Sequence, residues 1–459
     1  MGERELQWRM TTLFFDSALL SEGWVKDARL SIAGGRIAAV ETGATPTPGD
    51  ERHAIALPGL ANVHSHAFQR GMAGLAEVRG PVGDNFWTWR EVMYRFLDRL
   101  DPEQVEAIAA QAYVEMLETG FLRVGEFHYL HNDPNGAPYA NPAELAERIA
   151  AAAQATGIGL TLLPVFYAHA NFGGTPPVPG QRRFLNDVDG FARLLQASRA
   201  AIAPLNDANL GVAPHSLRAV TAEELQAVVA LAPAGPIHIH AAEQTKEVED
   251  SIAWSGARPV EWLLDHAGID ARWCLVHATH MTDDETQRLA RSGAVAGLCP
   301  ITEANLGDGV FPAEAYLAAE GRFGIGTDSN VLIDPAGELR ALEYAQRLTH
   351  RARNILAPEP GRSTGRALLD AALAGGFQAL GVEAPLLAQG HAADFLSLKA
   401  DDAAMAGRQG DALPDSWIFA GGKVDCVWRG GRKLVEGGRH FARNEVRARY
   451  RRAVESVLE

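Results

Sequence analysis

Eight short apolar runs, separated by segments with helical spacing, govern what the middle of this 459-residue chain can fold into. They are AIALPGLANVHSH, FLRVGEFHYL, IGLTLLPVFYAHA, LGVAPHSL, GPIHIHAAE, RWCLVHATH, AVAGLCPITEANL and FGIGTDSN. Between them lie stretches such as PEQVEAIAAQAYVEMLETG, PAELAERIAAAAQATG, TAEELQAVVALA and TDDETQRLARSG, with apolar residues near i, i+3 and i+4. Buried strands alternating with helices make a parallel sheet covered by helices. Eight repeats imply an α/β fold closed into a (β/α)8 TIM barrel. The regularity breaks once, in an insertion from Arg70 to Leu100 that holds Trp87, Trp89 and Arg90 and is read as part of a substrate lid.

The two ends of the chain read differently. TTLFFDSALL and ARLSIAGGRIAAVETG are short alternating strands with a Gly34-Gly35 hairpin, and GKVDCVWRGGRKLVEGGR repeats the pattern with Gly430-Gly431. Both ends are expected to join in one small β-sandwich domain, built from residues 1–60 and 386–459, around a catalytic barrel over 61–385.

Composition removes several classes of function. Lys plus Arg number 42 against 57 Asp plus Glu, a net charge of −15, so no broad basic footprint for nucleic acid is expected. The N-terminus, MGERELQWRMTTLFF, lacks a secretory pattern, and Leu6 stands where a myristoylation signal has Ser or Thr. A cytoplasmic protein with a small-molecule substrate and no membrane partner is the expectation. Cys274, Cys299 and Cys426 are too few and too scattered for a disulfide framework or a Cys-x-x-Cys zinc site, so any metal must use His and carboxylate.

Such residues gather at the ends of the strand-like runs. Side chains alternate along a strand, so His64 and His66 face the same way, at the strand end where α/β barrels keep their chemistry. Glu126, His128, His169, His215, His238, His240, His277, His280, Glu303 and Asp328 fall at the ends of other runs. His64, His66, His240 and Asp328 suit one divalent ion with a position left open for water, whose pKa such an ion lowers to about 7. His238 shares the face of His240, and spacing alone allows either as the ligand; Glu243, three residues on, favours His240. Asp328 alone reads more readily as a turn residue, and the histidine pairs reverse that balance. Glu243 is a candidate proton shuttle, and His277 a hydrogen-bond partner for the attacking water or the developing oxyanion. Trp273 and Cys274 read as core. Glu303 and Asn305 read as supporting or turn residues, His131, His266, His350 and His440 as surface, and His169 and His280 stay unassigned.

The order of these residues along the chain resembles the amidohydrolase superfamily, in its mononuclear deaminase branch. The stretches HSHAFQRGMAGLAE, FWTWREVMYR, EFHYLHND, HSLRAV, HIHAAEQTKEVED and LVHATH are similar to the formimidoylglutamate deiminase family. That resemblance implies hydrolysis of N-formimino-L-glutamate to N-formyl-L-glutamate and ammonia, in histidine degradation, by a zinc-bound hydroxide. It implies one divalent metal, zinc first, on His64, His66, His240 and Asp328, with catalysis by Glu243, His277 and Asp328. Substrate contacts carried over by motif are Gln69, Arg90, Tyr129, His215 and Arg218, the arginines suited to the two carboxylates. Homodimers are common in that family, so a homodimer is expected. The alternatives are a deaminase of another amidine-like compound such as guanine, and a barrel that serves as an inactive scaffold.

Overall fold

The fold was analysed in a computed structural model that describes residues 10–80 and 83–459. The N-terminal stretch with Leu6 lies outside the described residues.

Strands β1 (Thr11–Leu20), β2 (Gly23–Ala33), β3 (Arg36–Glu41) and β4 (Glu51–Pro58) come first. The chain then enters the barrel through β5 (Leu60–Ser65), β6 (Phe121–His128), β7 (Gly159–Phe166), β8 (Asn209–Leu210), β9 (Ala213–Pro214), β10 (Ile237–Ala241), β11 (Trp273–His277), β12 (Val295–Leu298) and β13 (Arg322–Ile325). It leaves through β14 (Phe395–Leu398), β15 (Val424–Arg429), β16 (Arg432–Glu436) and β17 (Arg439–His440).

The barrel sheet is parallel and runs β10-β11-β12-β13-β5-β6-β7-β8, with β9 also paired to β7. Parallel bridges from Val212 to Ile237 and from Ser216 to His240 close the ring. All eight apolar runs therefore supply staves, with two differences from the linear reading. The first run is two strands: residues 51–58 belong to the small sheet and 60–65 to the barrel, with Gly59 between them. The fourth is reduced to two-residue pieces interrupted at Gly211 and Val212. Helices cover the staves, among them Pro102–Thr119, Glu144–Thr156, Ala222–Ala230 and Asp283–Arg291.

The terminal strands form one continuous sheet, β17-β16-β15-β14-β4-β1-β2-β3, antiparallel except for the β1–β4 pair. It curls over a core that includes Leu13, Phe15, Leu30, Ile32, Phe395 and Trp428. Both predicted Gly-Gly hairpins are present, with φ of 58° and 77° at Gly34 and Gly35 and of 52° and 70° at Gly430 and Gly431. Two successive left-handed residues match the twist of a tight hairpin, which is why glycine stands there. Arg429 of β15 pairs with Asp394 at 2.7 Å and with Asp207, which also takes Arg123 of β6 at 2.8 Å, joining the small sheet to the barrel.

Two histidines read as surface are buried instead. His131 donates from Nε2 to the Val165 carbonyl (2.9 Å), and His440 donates to that of Thr156 (2.9 Å) while its Nδ1 accepts from Ala442 N–H (3.0 Å). His131 satisfies a carbonyl of β7 and His440 one at the end of the helix Glu144–Thr156, a use that local polarity does not reveal. Trp273 and Cys274 are core as expected, and they open β11 rather than precede it.

The helix Thr364–Ala379 packs on β13 and β5, and its Gly375-Gly376 pair permits the approach. A Cβ on Gly375 would lie 2.0 Å from the Phe323 carbonyl oxygen. Gly375→Ala is therefore expected to destabilise the protein by about 1–3 kcal/mol or more, seen as a lower thermal midpoint. An unchanged midpoint would show that the helix can retreat from the strands.

Candidate active site

The ends of β5, β10 and β13 bring four side chains to one point. His64 Nε2 lies 3.1 Å from His240 Nε2 and 3.5 Å from Asp328 Oδ1, and His66 Nε2 lies 3.2 Å from the same oxygen. Donors about 2.0–2.1 Å from a tetrahedral ion stand about 3.3–3.4 Å from one another, so the spacing fits a single divalent cation. The protonation states fit as well. Burial holds His64 down to about 3 and keeps His66 and His240 below the ordinary histidine value, so all three rings are neutral at pH 7. His66 Nδ1 donates to the Phe127 carbonyl (3.0 Å) and His240 Nδ1 to that of His215 (3.0 Å), which leaves each Nε2 lone pair facing the common point.

Asp328 is anchored by backbone. Its N–H donates to the His64 carbonyl (2.9 Å), and its own carbonyl accepts from His66 N–H (2.9 Å). The Asn330 amide then binds Ser65 Oγ (3.1 Å) and the carbonyls of His66 (3.0 Å) and Asp328 (3.1 Å). Asp328 and Asn330 have φ of 42° and 53°, and Ala242, His277 and Ala278 near the same rim are also left-handed, at 52°, 69° and 49°. Strained residues of this kind persist where surrounding structure over-determines them, often at functional sites.

Glu243 follows the left-handed Ala242. Both backbone N–H groups donate to Glu247, each at 3.1 Å, and this fixes the turn that aims Glu243 inward. Glu243 Oε1 stands 3.7 Å from His277 Nε2, and Arg218 Nη2 stands 3.4 Å from Oε2. Burial raises the Glu243 pKa, opposed by the charges of His277 and Arg218. Burial also works against charge on His277, but Glu243, Glu303 and Asp328 outweigh it and bring its pKa up to about 10. Glu303 Oε1 accepts from His277 Nδ1 (3.3 Å) and from Cys299 N–H (3.0 Å), which leaves His277 Nε2 without a protein partner.

A cavity of about 570 Å³, mouth included, opens over this centre. His66, His240, Glu243, His277 and Asp328 line it, as do all five residues expected to touch substrate: Gln69, Arg90, Tyr129, His215 and Arg218. Gln69 Nε2 donates to the Tyr129 hydroxyl (2.9 Å), and its Oε1 has no partner. His215 packs edge-on to Tyr167 and tilted against His240, at ring distances of 4.6 and 4.8 Å. The insertion supplies one wall through the helix Phe86–Leu97, capped by the Asn85 side chain at Trp87 and Thr88 N–H. The linear reading did not single out the apolar walls, Phe86, Met93 and Tyr94 within the FWTWREVMYR stretch, and Tyr167 and Phe184 beyond it. It also missed Glu247, whose value is a turn rather than a contact.

Other histidines are committed elsewhere. His238 donates to the Ala379 carbonyl (2.7 Å), while His240 Nε2 stands 3.1 Å from His64 Nε2, so of the pair left open by spacing it is His240 that lies at this centre. His169 binds Glu224 (2.9 Å), and His280 donates to the Asp308 carbonyl (2.9 Å), both away from the cavity lining.

The profile of the amidohydrolase family matches residues 55–434. With that match over a barrel whose rim gathers His, His, His and Asp, the chain belongs to the amidohydrolase family. The profile of the formimidoylglutamate deiminase HutF N-terminal domain matches residues 10–54. The chain is 53% identical to the formimidoylglutamate deiminase of Pseudomonas aeruginosa over 437 residues, 94% of this chain and 96% of that one. A crystal structure of an amidohydrolase from Brucella melitensis superposes with a TM-score of 0.95 and 57% identity, covering 98% of this chain and all of the other. An adenosine deaminase from Xanthomonas campestris, crystallised with bound zinc, shares the fold at a TM-score of 0.82 and 22% identity, covering 98% of each chain.

Glu126 lies beneath the ligand loop, accepting from Ala67 N–H (2.7 Å) and the Tyr113 hydroxyl (3.1 Å). Burial raises its pKa to about 8. A carboxyl raised above its unfolded value contributes stability at low pH, lost as pH climbs from about 4.5 to 8. Glu126→Gln keeps an acceptor for Ala67 and carries no charge. Its thermal midpoint should vary less over that window than the wild type's; equal variation would mean that Glu126 does not titrate there.

Proposed function

We propose that this chain hydrolyses N-formimino-L-glutamate to N-formyl-L-glutamate and ammonia. The observation that carries the reading is a pair of guanidiniums with unsatisfied buried N–H groups, Arg90 Nε and Arg218 Nε, in the cavity that also holds Glu243 and the metal ligands. A substrate with two carboxylates satisfies both. A neutral heterocycle such as guanine offers acceptors but no negative charge to match two guanidiniums, and an inactive scaffold has no use for a complete set.

His64, His66, His240 and Asp328 would hold one divalent ion, zinc first, and such an ion would supply a water with its pKa lowered toward neutrality. Arg90 and Arg218 hold the two carboxylates and set the depth of the substrate, with Gln69, Tyr129 and His215 around its stem. The aromatic walls exclude bulk water. Glu243 accepts a proton from the water that attacks the formimino carbon, and His277 Nε2 donates to the oxygen as charge develops on it. Glu303 holds His277 in that orientation. Glu243 then delivers its proton to the terminal nitrogen, takes the remaining hydroxyl proton of the tetrahedral adduct and passes it to the same nitrogen as the C–N bond breaks, so that ammonia leaves and the C=O of the formyl group forms. Every residue in this sequence of steps lies within the span 61–385.

The deciding experiment is ammonia release by zinc-loaded protein given N-formimino-L-glutamate, with guanine in parallel and the organic product identified. Formation of N-formyl-L-glutamate supports the reading; a protein that holds one metal and turns over nothing discards this substrate. Glu243→Gln should lower kcat by about 100-fold or more with metal content unchanged, and intact turnover would remove Glu243 from proton transfer. Arg218→Ala should raise KM by about 10-fold or more, the scale of a lost charge-assisted pair; an unchanged KM would contradict its role.

A further inference from the structure

Arg90 makes no ion pair or hydrogen bond among the described residues, although its Nε is buried. What it does touch is aromatic. Its Cζ stands 4.5 Å from the ring centroid of Trp87 and 5.6 Å from that of Tyr94. Trp87, Arg90 and Tyr94 are spaced i, i+3 and i+7 on the insertion helix, so one helical face carries the stack. Arg218 arrives from the opposite side, the loop after β9, and its Cζ lies 5.9 Å from the rings of Phe86 and Trp87. Its carboxylate neighbours are more distant than a close pair, 3.4 Å for Glu243 and 3.9 Å for Glu247. Trp87 is thus the one ring shared by both guanidiniums, and Phe86 packs edge-on against it at 5.1 Å. Trp87 does not itself line the cavity.

We infer that Trp87 is a positioning residue for substrate selectivity: its indole holds Arg90 and Arg218 as a matched pair that selects a dicarboxylate over a monocarboxylate. This rests on the functional reading above, in which the two arginines take the two carboxylates. Two like charges in a largely desolvated pocket repel each other and rotate freely unless something fixes them. The negative face of an indole attracts a guanidinium without occupying its N–H groups, so both stay available for carboxylate oxygens. Arg218 has the Glu243 and Glu247 carboxylates on one edge, at 3.4 and 3.9 Å, whereas Arg90 has none among the described residues, so nothing there competes with the substrate for its N–H groups. Because Trp87 sits on the insertion and Arg218 on the barrel, the pair is assembled only when the helix is seated.

The test compares Trp87→Leu and Trp87→Phe on N-formimino-L-glutamate and on N-formiminoglycine, which has one carboxylate. Wild-type turnover of the first is measured beforehand; its absence overturns the functional reading and the substrate named here. Given turnover, Trp87→Leu is expected to raise KM for the dicarboxylate by about 3–30-fold, the span of a cation–π contact. Its kcat and KM for the monocarboxylate should move much less, and Trp87→Phe should recover most of the loss. In an Arg90→Lys background the effect of Trp87→Leu should shrink, since it acts through the arginine. An unchanged dicarboxylate KM, or equal losses on both substrates, overturns the inference. Should the Leu variant not fold, fluorinated tryptophans at position 87 keep the shape and weaken the ring face: KM must then rise with fluorine number, and a flat series overturns the proposal.

Discussion

The site depends on the backbone contact between the first and last staves of the barrel. Asp328 N–H meets the His64 carbonyl and His66 N–H meets the Asp328 carbonyl, so ligands more than 260 residues apart are fixed by main chain before any side chain acts. The cost is left-handed backbone at Asp328 and Asn330, about 1–3 kcal/mol each by general experience with such outliers. The three hydrogen bonds from the Asn330 amide offset it. Neutral imidazoles and an anionic Asp328, whose pKa is lowered by the neighbouring histidines against the pull of burial, then present four donors at tetrahedral spacing.

Electrostatics divides the cavity. One end collects carboxylates, Glu243, Glu303 and Asp328, around His277. The other end holds Arg90 and Arg218 on an aromatic bed. In a chain with a net charge of −15 this local inversion of sign matters, because it gives a dianionic substrate a destination that the overall charge does not. Arg218 stands between the two regions, close to Glu243 and facing the cavity.

Much of this was legible in the residues because the signals are local. Period-two alternation places His64 and His66 together, apolar runs mark the staves, and paired glycines mark the hairpins at 34–35 and 430–431. Signals failed where tertiary context overrides a local pattern. The run from Ala54 to His66 carries Pro58 and Gly59 where the barrel strand begins, but nothing in it says that the residues before them join a different sheet. His131 and His440 sit among polar neighbours, yet each is buried to satisfy a carbonyl from a distant element. Glu303 carries no motif, and its meaning comes from meeting His277 at 3.3 Å.

The sequence by itself determined the class of fold, the chemical type of the ligands and the residues able to handle protons and anions, since residue type and short-range period are properties of the chain. Only the tertiary structure decided which histidine of the 238/240 pair turns toward His64, how Glu243 is aimed by Glu247, and that Arg90 and Arg218 share one indole. Those outcomes depend on where a closed ring brings distant segments together, and no spacing along the chain encodes that meeting.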